Sequence, residues 1–537
     1  MTHDLTRWLA FPRRYSAGTP SEPKFLARAA PLAAALMAAS LAAGCGGGGA
    51  SGSSAGPAAG TLTVAVPSAP SSLDPATGQP ANETYYDFAY EPLIVQAADG
   101  SYRPGLATSW RYGPDNETFA ITLRSGVRFS DGTALNAAAV RTWIQHEMQP
   151  GEGGATWLGS LKSVDVTGPL TLTLQFSRPA PQLEYVFAQT LGMGMIGSPK
   201  AVQAKTLAAR TAGAGPYELD ASATVPGATY TFSPNPYYWD KAAVHWKKVV
   251  LKVIASPTAA LQALQTGQVQ VAMDQPVTSI PAATKTKLKY VDPLTLLLGL
   301  DILDRNGKTD KPLADVRVRQ ALNYAIDRSA LAKVIGAGYG VPIAQMAAPG
   351  WDSYSSALAR QYPYNPAAAR RLLAAAGYPH GFTLSVVSVA AVGQNLLADA
   401  LAGQLEKVGI TMKPSITTSV GAYFQALTSG NYPAATLSFG RLPAAFDYDQ
   451  LWGPVASFNP FKSASPQLAT LDGQLSAASA VQAPAIARQM QAYLVQQAWF
   501  VPVVATPLVV LYGQQVTGVS ATSARNVVYM TEIRPAS

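Results

Sequence analysis

The chain of 537 residues contains one cysteine, Cys45, and only four histidines. A single thiol excludes a disulfide framework and a thiolate metal cage. The histidines, His3, His146, His245 and His380, form no i, i+4 pair, so a zinc or nickel site made by the protein alone is not expected. Charged residues make up 13% of the chain and no basic run occurs, which excludes an electrostatic footprint for nucleic acid. The formal net charge is +8, and the first 44 residues hold five basic and two acidic side chains, so +5 is left beyond them. Past residue 60 no apolar run is long and charge-free enough to span a bilayer. No short-period repeat is present, which argues against a solenoid or propeller.

What is present begins with Lys24 and Arg28, a mostly apolar run over 29–43, and small residues before Cys45. This order reads as an export signal over 1–44, because the run is shorter than a spanning helix needs. The cysteine after Ala42-Ala43-Gly44 resembles the lipobox of bacterial lipoproteins, with Leu41 one position further back than the usual leucine. The resemblance implies that Cys45 carries a lipid anchor, the alternative being plain secretion. Residues 45–60 are rich in glycine and serine and read as a flexible tether. Roughly 475 residues remain, enough for two or three lobes with cores of their own.

Those residues interleave strand and helix patterns, which predicts α/β lobes with mostly covered sheets. Thr61 to Val66 alternates like a half-buried strand, as do Phe119, Ile121, Leu123 and Leu170, Leu172, Leu174, Phe176. Asn136 is placed to cap a helix that presents Val140, Trp143, Ile144 and Met148 on one face; Asn365-Pro366 opens another, with Gly377 as its terminator. Leu397, Leu401, Leu405 and Val408 make a third stripe, stopped by Gly409.

Motifs for catalysis fail on context. Gly52-Ser53-Ser54-Ala55-Gly56 has the spacing of a hydrolase elbow but lies in the tether. Gly307-Lys308-Thr309 ends like a phosphate loop, yet the required upstream glycine is Ile302. Asp447 and Asp449 are close enough in sequence for an acid/base pair, but read better as turn caps. Two aromatic groups remain: Tyr85, Tyr86 and Tyr90, and Phe439, Phe446, Tyr448 and Trp452 with Arg441 between them. Glycine, proline and aspartate break up the second group as a core strand would not, and apolar walls with a few polar anchors are what small-ligand sites are made of.

Several segments taken together carry a resemblance. They are Ser72-Leu-Asp-Pro75 with Tyr90-Glu-Pro-Leu93, Pro104-Gly-Leu-Ala-Thr-Ser-Trp110, and FAITLRSGVRFSDG from Phe119 to Gly132. Gly213-Ala-Gly-Pro-Tyr217 with Asn235-Pro-Tyr-Tyr-Trp239 follows, then the run from Asp315 to Asp327 and Arg370 to Tyr378. In this order they resemble the extracytoplasmic solute-binding proteins of family 5, the peptide and nickel type that serve ABC importers. The resemblance implies a two-lobed α/β fold of the periplasmic-binding-protein type II class, with an extra subdomain inserted in the first lobe. It places the first lobe at 61–95, 206–292 and 506–537, the insert at 96–205 and the second lobe at 293–505, with crossings near 290–300 and 500–510.

The same resemblance implies no enzyme activity and no cofactor, a monomer, and a small peptide-like solute captured between the lobes. ABC permease subunits are the implied partners, and the implied location is the outer face of the cell membrane or the periplasm. A metal chelate, haem or oligosaccharide stays open as ligand, and a surface interaction protein without transport as function. Family ligand contacts come from the loop after Leu73-Asp74-Pro75 and from the region around Phe439 to Trp452. The expected site is therefore Gln79, Asn82, Tyr85, Tyr86, Phe439, Arg441, Phe446, Asp447 and Trp452. The stretch SFGRLPAAFDYDQLW lacks the Asp-Pro element usual in peptide binders and carries Arg441 instead, which suits an anionic group gripped by guanidinium.

Overall fold

The computed structural model describes residues 59–77, 82–390 and 394–536; Cys45, the export and tether segments up to residue 58, and Gln79 lie outside them. Two mixed sheets organise the chain. The first runs in the order Lys289–Val291, Val509–Tyr512, Val271–Gln275, Ala59–Val66, Trp246–Val253, Thr229–Pro234, Tyr217–Leu219. Strand Ala59–Val66, starting two residues before the expected Thr61, pairs in parallel with both of its neighbours. Its alternation feeds two layers rather than one: Leu62, Val64 and Val66 enter one apolar core, and Ala65 enters another on the opposite face. A central strand of a covered sheet is buried on both sides in this way.

The second sheet runs Val341–Pro342, Phe500–Pro507, Leu294–Ile302, Ala434–Gly440, Thr383–Val389, Thr411–Thr417. Leu294–Ile302 is antiparallel to both of its neighbours, and Gly299 lets Phe500–Pro507 come close, since a Cβ there would lie 2.5 Å from the Val501 carbonyl oxygen. A third, antiparallel sheet of four strands, Ala107–Tyr112, Thr118–Leu123, Thr171–Phe176 and Leu161–Gly168, shares one continuous core with the first sheet. Of the alternating residues read from the sequence, Phe119, Ile121, Leu123, Leu172, Leu174 and Phe176 are its buried face, while Leu170 lies just before its strand and is half-buried.

Local punctuation acts as the sequence predicts. Asn136 Oδ1 accepts from the Ala139 amide at 2.9 Å to open Ala137–Glu147, and Asn365 Oδ1 accepts from Ala368 at 2.9 Å to open Pro366–Ala375. Gly377 and Gly409 adopt φ of +94° and +92°, the left-handed turn that ends a helix cheaply only with glycine. Asp315 and Asp327 cap Val316–Tyr324 and Arg328–Ile335. In Gly213-Ala-Gly215, side chains at either glycine would collide with Ala89 or Tyr90, so this turn can lie against the end of helix Glu83–Ala89.

The chain passes between the first and second sheets twice. Asp292-Pro293 separates Lys289–Val291 from Leu294–Ile302, and Leu508 alone separates Phe500–Pro507 from Val509–Tyr512. Among the described residues no helix is long and apolar enough to cross a membrane.

Candidate functional site

The first expected group is buttoned into its own loop. Tyr85 donates its hydroxyl to the Ser68 carbonyl at 2.8 Å, and Tyr90 donates to the Leu73 carbonyl at 3.0 Å. Tyr86 lies 3.2 Å from the carbonyls of both Ser72 and Asp74, while Asn82 donates to the Ser71 hydroxyl and the Tyr86 oxygen at 3.0 and 3.1 Å. Burial, first of all, raises the Tyr85 and Tyr86 hydroxyls, which keeps them as donors. His146 adds a 2.8 Å contact from Nε2 to Asp74 Oδ2. These side chains fix the 68–77 segment and leave few polar atoms for a solute.

The second group divides. Phe439 and Trp452 lie in an apolar core of the second sheet, 8% and 1% exposed. Phe446 meets Trp157 edge-on at 5.1 Å, a contact from the second-sheet region to the third-sheet region. Asp447 is buried with Oδ1 unpaired, and that burial, then the Asp352 carboxylate, holds its carboxyl well above the usual range against the pull of Arg441. Asp449 faces outward and takes Arg178 Nη2 at 3.3 Å, so the two aspartates do not form an acid/base pair. Arg441 alone of the eight described residues lines a cavity of about 710 Å³.

That cavity holds about 710 Å³ and is lined from two directions. Tyr102, Glu184 and Tyr185 come from the region of the third sheet, and Trp351, Asp352 and Arg441 from that of the second. Arg441 follows the end of strand Ala434–Gly440, where its amide donates to the Thr295 carbonyl at 3.2 Å. Its Nη1 donates to the Ala524 carbonyl at 2.7 Å, Nη2 stands 3.9 Å from Asp352 Oδ1, and Nε is buried without a partner. Glu184 accepts from the Tyr112 hydroxyl at 2.6 Å and from Trp110 Nε1 at 3.3 Å, so its side chain is held in place. Burial keeps the hydroxyls of Tyr102 and Tyr185 protonated. Gln182 sits on the rim at φ +65°, its Oε1 buried and unpaired, a strained left-handed residue of the sort that gathers at ligand clamps.

Rigid aromatic walls, one guanidinium with an unused donor, and fixed carboxylates make a pocket for a small zwitterion. Tyr102, Tyr185, Trp351 and Asp352 were not among the expected residues. Their only sequence signal is aromatic or acidic character beside Gly, Pro or Gln breaks at 100–104, 181–182 and 350, which is too common to single them out.

Contacts already bridge the opening. Asn116 Nδ2 donates to the Ser476 carbonyl at 3.1 Å, and Tyr185 Oη lies 3.5 Å from the Arg441 carbonyl.

The profile described as Bacterial extracellular solute-binding proteins, family 5 Middle, matches residues 101–459. The glutathione-binding protein GsiB of Salmonella typhi is 30% identical over 349 residues, covering 61% of this chain. The chain spans 63% of the length of that relative. Among solved structures, AgaA from A. tumefaciens R10, in complex with agropinic acid, is 22% identical with a TM-score of 0.74, covering 89% of this chain and 99% of that one. DppA from Helicobacter pylori, in complex with peptide STSA, is 21% identical with a TM-score of 0.73, covering 89% and 98%. The fold is the mixed α/β fold of these periplasmic binding proteins.

Proposed function

Because the chain belongs to the bacterial extracellular solute-binding proteins of family 5, we propose that it captures a small peptide-like solute between two lobes and presents it to the permease of an ABC importer. The family is a class of binding proteins rather than enzymes. The observation that carries the reading is the cavity of about 710 Å³, lined from two sides by aromatic rings with Arg441 and Asp352 at its wall. A solute there would touch both sides at once, and only a ligand that contacts both can favour the closed form.

A cavity of about 460 Å³ between Trp239, His245 and Glu532 lacks this property, because none of its lining residues falls within 293–505. In this reading the lobes are 61–95 with 206–292 and 506–537, and 293–505, with 96–205 inserted. Asp292-Pro293 and Leu508 are then the hinge, and Arg441 grips the carboxylate of the solute while Tyr102, Tyr185 and Trp351 cover its body. Asn82, Tyr85 and Tyr86 brace the loop beneath, with Phe439, Phe446, Asp447 and Trp452 supporting the second-lobe wall.

The glutathione-binding name of one relative and the peptide held by one solved neighbour support a peptide-like ligand. Cys45 is the lipid anchor and the stretch from it to the start of strand Ala59–Val66 the tether, two residues shorter than the 45–60 read from the sequence, which keeps a monomer near its permease at high effective concentration. Native mass spectrometry of the protein purified from its own host tests the reading. A retained mass of a few hundred daltons, released on denaturation, is expected. An empty protein that glutathione, dipeptides and tripeptides fail to stabilise thermally would overturn it.

A further inference from the structure

A second cavity, of about 490 Å³, lies at the two crossing segments, and we propose that it receives a positively charged side chain of the solute, a primary amine or a guanidinium. The proposal rests on the solute-binding reading above and names the class of solute.

The cavity is lined from both sheets: helix Glu83–Ala89 and strand Val271–Gln275 on one side, Pro293 to Leu296 and Gly440 on the other. Three carboxylates face it, those of Glu83, Asp87 and Asp274, and its lining contains no lysine, arginine or histidine. Glu83 and Asp87 stand i, i+4 on one helix, an arrangement of like charges that costs stability unless something opposes it. The charge of Arg525 reaches Asp87 and opposes only part of its burial; Nη1 and Nη2 of that guanidinium are bound to the Gln96 carbonyl at 3.3 Å, the Ser520 carbonyl at 2.8 Å and Glu532 at 2.8 Å, and Nε is buried without a partner. Burial, then the Asp87 and Asp274 charges, holds the Glu83 carboxyl well above the carboxylate range. Burial pushes Asp87 up to about 8 although Met530 donates to it at 3.0 Å. Such a group regains its charge when a cation arrives.

An acidic cluster alone would not make a site. Independently, Thr295 is 4% exposed and its hydroxyl, in the lining, has no hydrogen-bond partner. Asn526 Oδ1, also in the lining, is likewise buried and unpaired. Two irregularities deliver polar residues to the chamber. The ladder to Phe500–Pro507 shifts between Leu294 and Leu296, around Thr295, and the ladder to Val509–Tyr512 shifts between Ala272 and Gln275, where Asp274 takes φ +52°. Bulges of this kind re-aim side chains beside ligand sites.

Carboxylates, a hydroxyl and an amide oxygen can all accept, and an ammonium or guanidinium brings three to five donors. Met273, Leu296 and Val510 supply apolar wall for an alkyl stem. The three carboxylates do not converge as a metal-ligand group; among the described residues no such group occurs. Gly440 lines this chamber and Arg441 the larger cavity, so one residue step separates the place for a cation from the place for a carboxylate.

The test is calorimetric titration of the full chain with Ala-Lys and Ala-Arg against their uncharged counterparts Ala-norleucine and Ala-citrulline. The basic peptides are expected to bind at least tenfold more tightly, and Glu83→Gln with Asp274→Asn is expected to bring that ratio near one while Ala-norleucine binding changes less than twofold. Asp274→Asn alone, at an exposed side chain, is expected to reduce the ratio and serves if the double variant does not fold. Equal binding of all four peptides, or a preference that survives both substitutions, overturns the proposal while the solute-binding reading stands. Failure of all four and of glutathione to bind overturns both.

Discussion

Arg441→Ala is expected to weaken binding of a carboxylate-bearing peptide by more than tenfold with little change in the unfolding midpoint. The guanidinium sits at the wall of the 710 Å³ cavity with an unused buried Nε donor, one bond to the Ala524 carbonyl, and Asp352 at 3.9 Å, too far for a formed hydrogen bond. Losing one partner of a desolvated charge pair costs ~2–5 kcal/mol, and ~1.4 kcal/mol already makes tenfold. Arg441→Lys keeps the charge but not the planar fork, so an intermediate loss is expected. A peptide with an amidated C-terminus separates a contact from a structural role. Wild type should bind it weakly, and Arg441→Ala should bind it no more weakly than wild type does. Equal losses for acid and amide would show that Arg441 only holds the Ala524 segment.

The largest stability loss is expected at Arg328. This side chain is 7% exposed, has no carboxylate partner among the described residues, and spends its nitrogens on backbone from four stretches of chain. Nε donates to the Ile343 carbonyl at 2.9 Å and the Pro502 carbonyl at 2.7 Å, Nη1 to Asn323 at 2.9 Å and Tyr362 at 3.2 Å, and Nη2 to Asn323 Oδ1 at 2.7 Å. Burial lowers its guanidinium to about 10, which still leaves it charged at neutral pH. Methionine would fill much of the volume while leaving those carbonyls buried without a donor, at ~1–3 kcal/mol each before relaxation. Arg328→Met should therefore lose ~3–5 kcal/mol in denaturant unfolding, and Arg328→Lys, which cannot fork, should recover only part. A loss under ~1 kcal/mol for Arg328→Met would mean that the carbonyls find other donors.

The contrast between these two arginines shows what the sequence could reveal. Asp327, one residue before Arg328, was readable as a helix cap because a cap acts on an amide three residues away. Asn136, Asn365, Gly377 and Gly409 were readable for the same reason. Arg328 was not, since its partners lie between 5 and 174 residues distant. The tyrosines at 85 and 86 carried the right composition for a pocket, but their hydroxyls turned out to secure the carbonyls of 68–74, a use decided by tertiary approach. Arg441 was visible because it replaces an expected anchor within an ordered family pattern. Tyr102, Tyr185, Trp351 and Asp352 were not, because three distant segments supply them. Glu83 and Asp87 did leave a trace, two like charges at i, i+4 on a short helix, which local energetics alone would disfavour.

The central claim, that a solute closes one lobe on the other, is tested most directly by a distance across the opening. Spin labels at Asp165 and Thr470, both exposed, on strand Leu161–Gly168 and helix Pro466–Ala477, can be attached specifically once Cys45→Ser removes the only native thiol. Glutathione, Ala-Lys and a panel of dipeptides and tripeptides are then added at saturating concentration. The account predicts that at least one of them collapses the distance distribution to a single, shorter population. A distribution that stays unchanged through the whole panel, in a protein that remains folded, would contradict it.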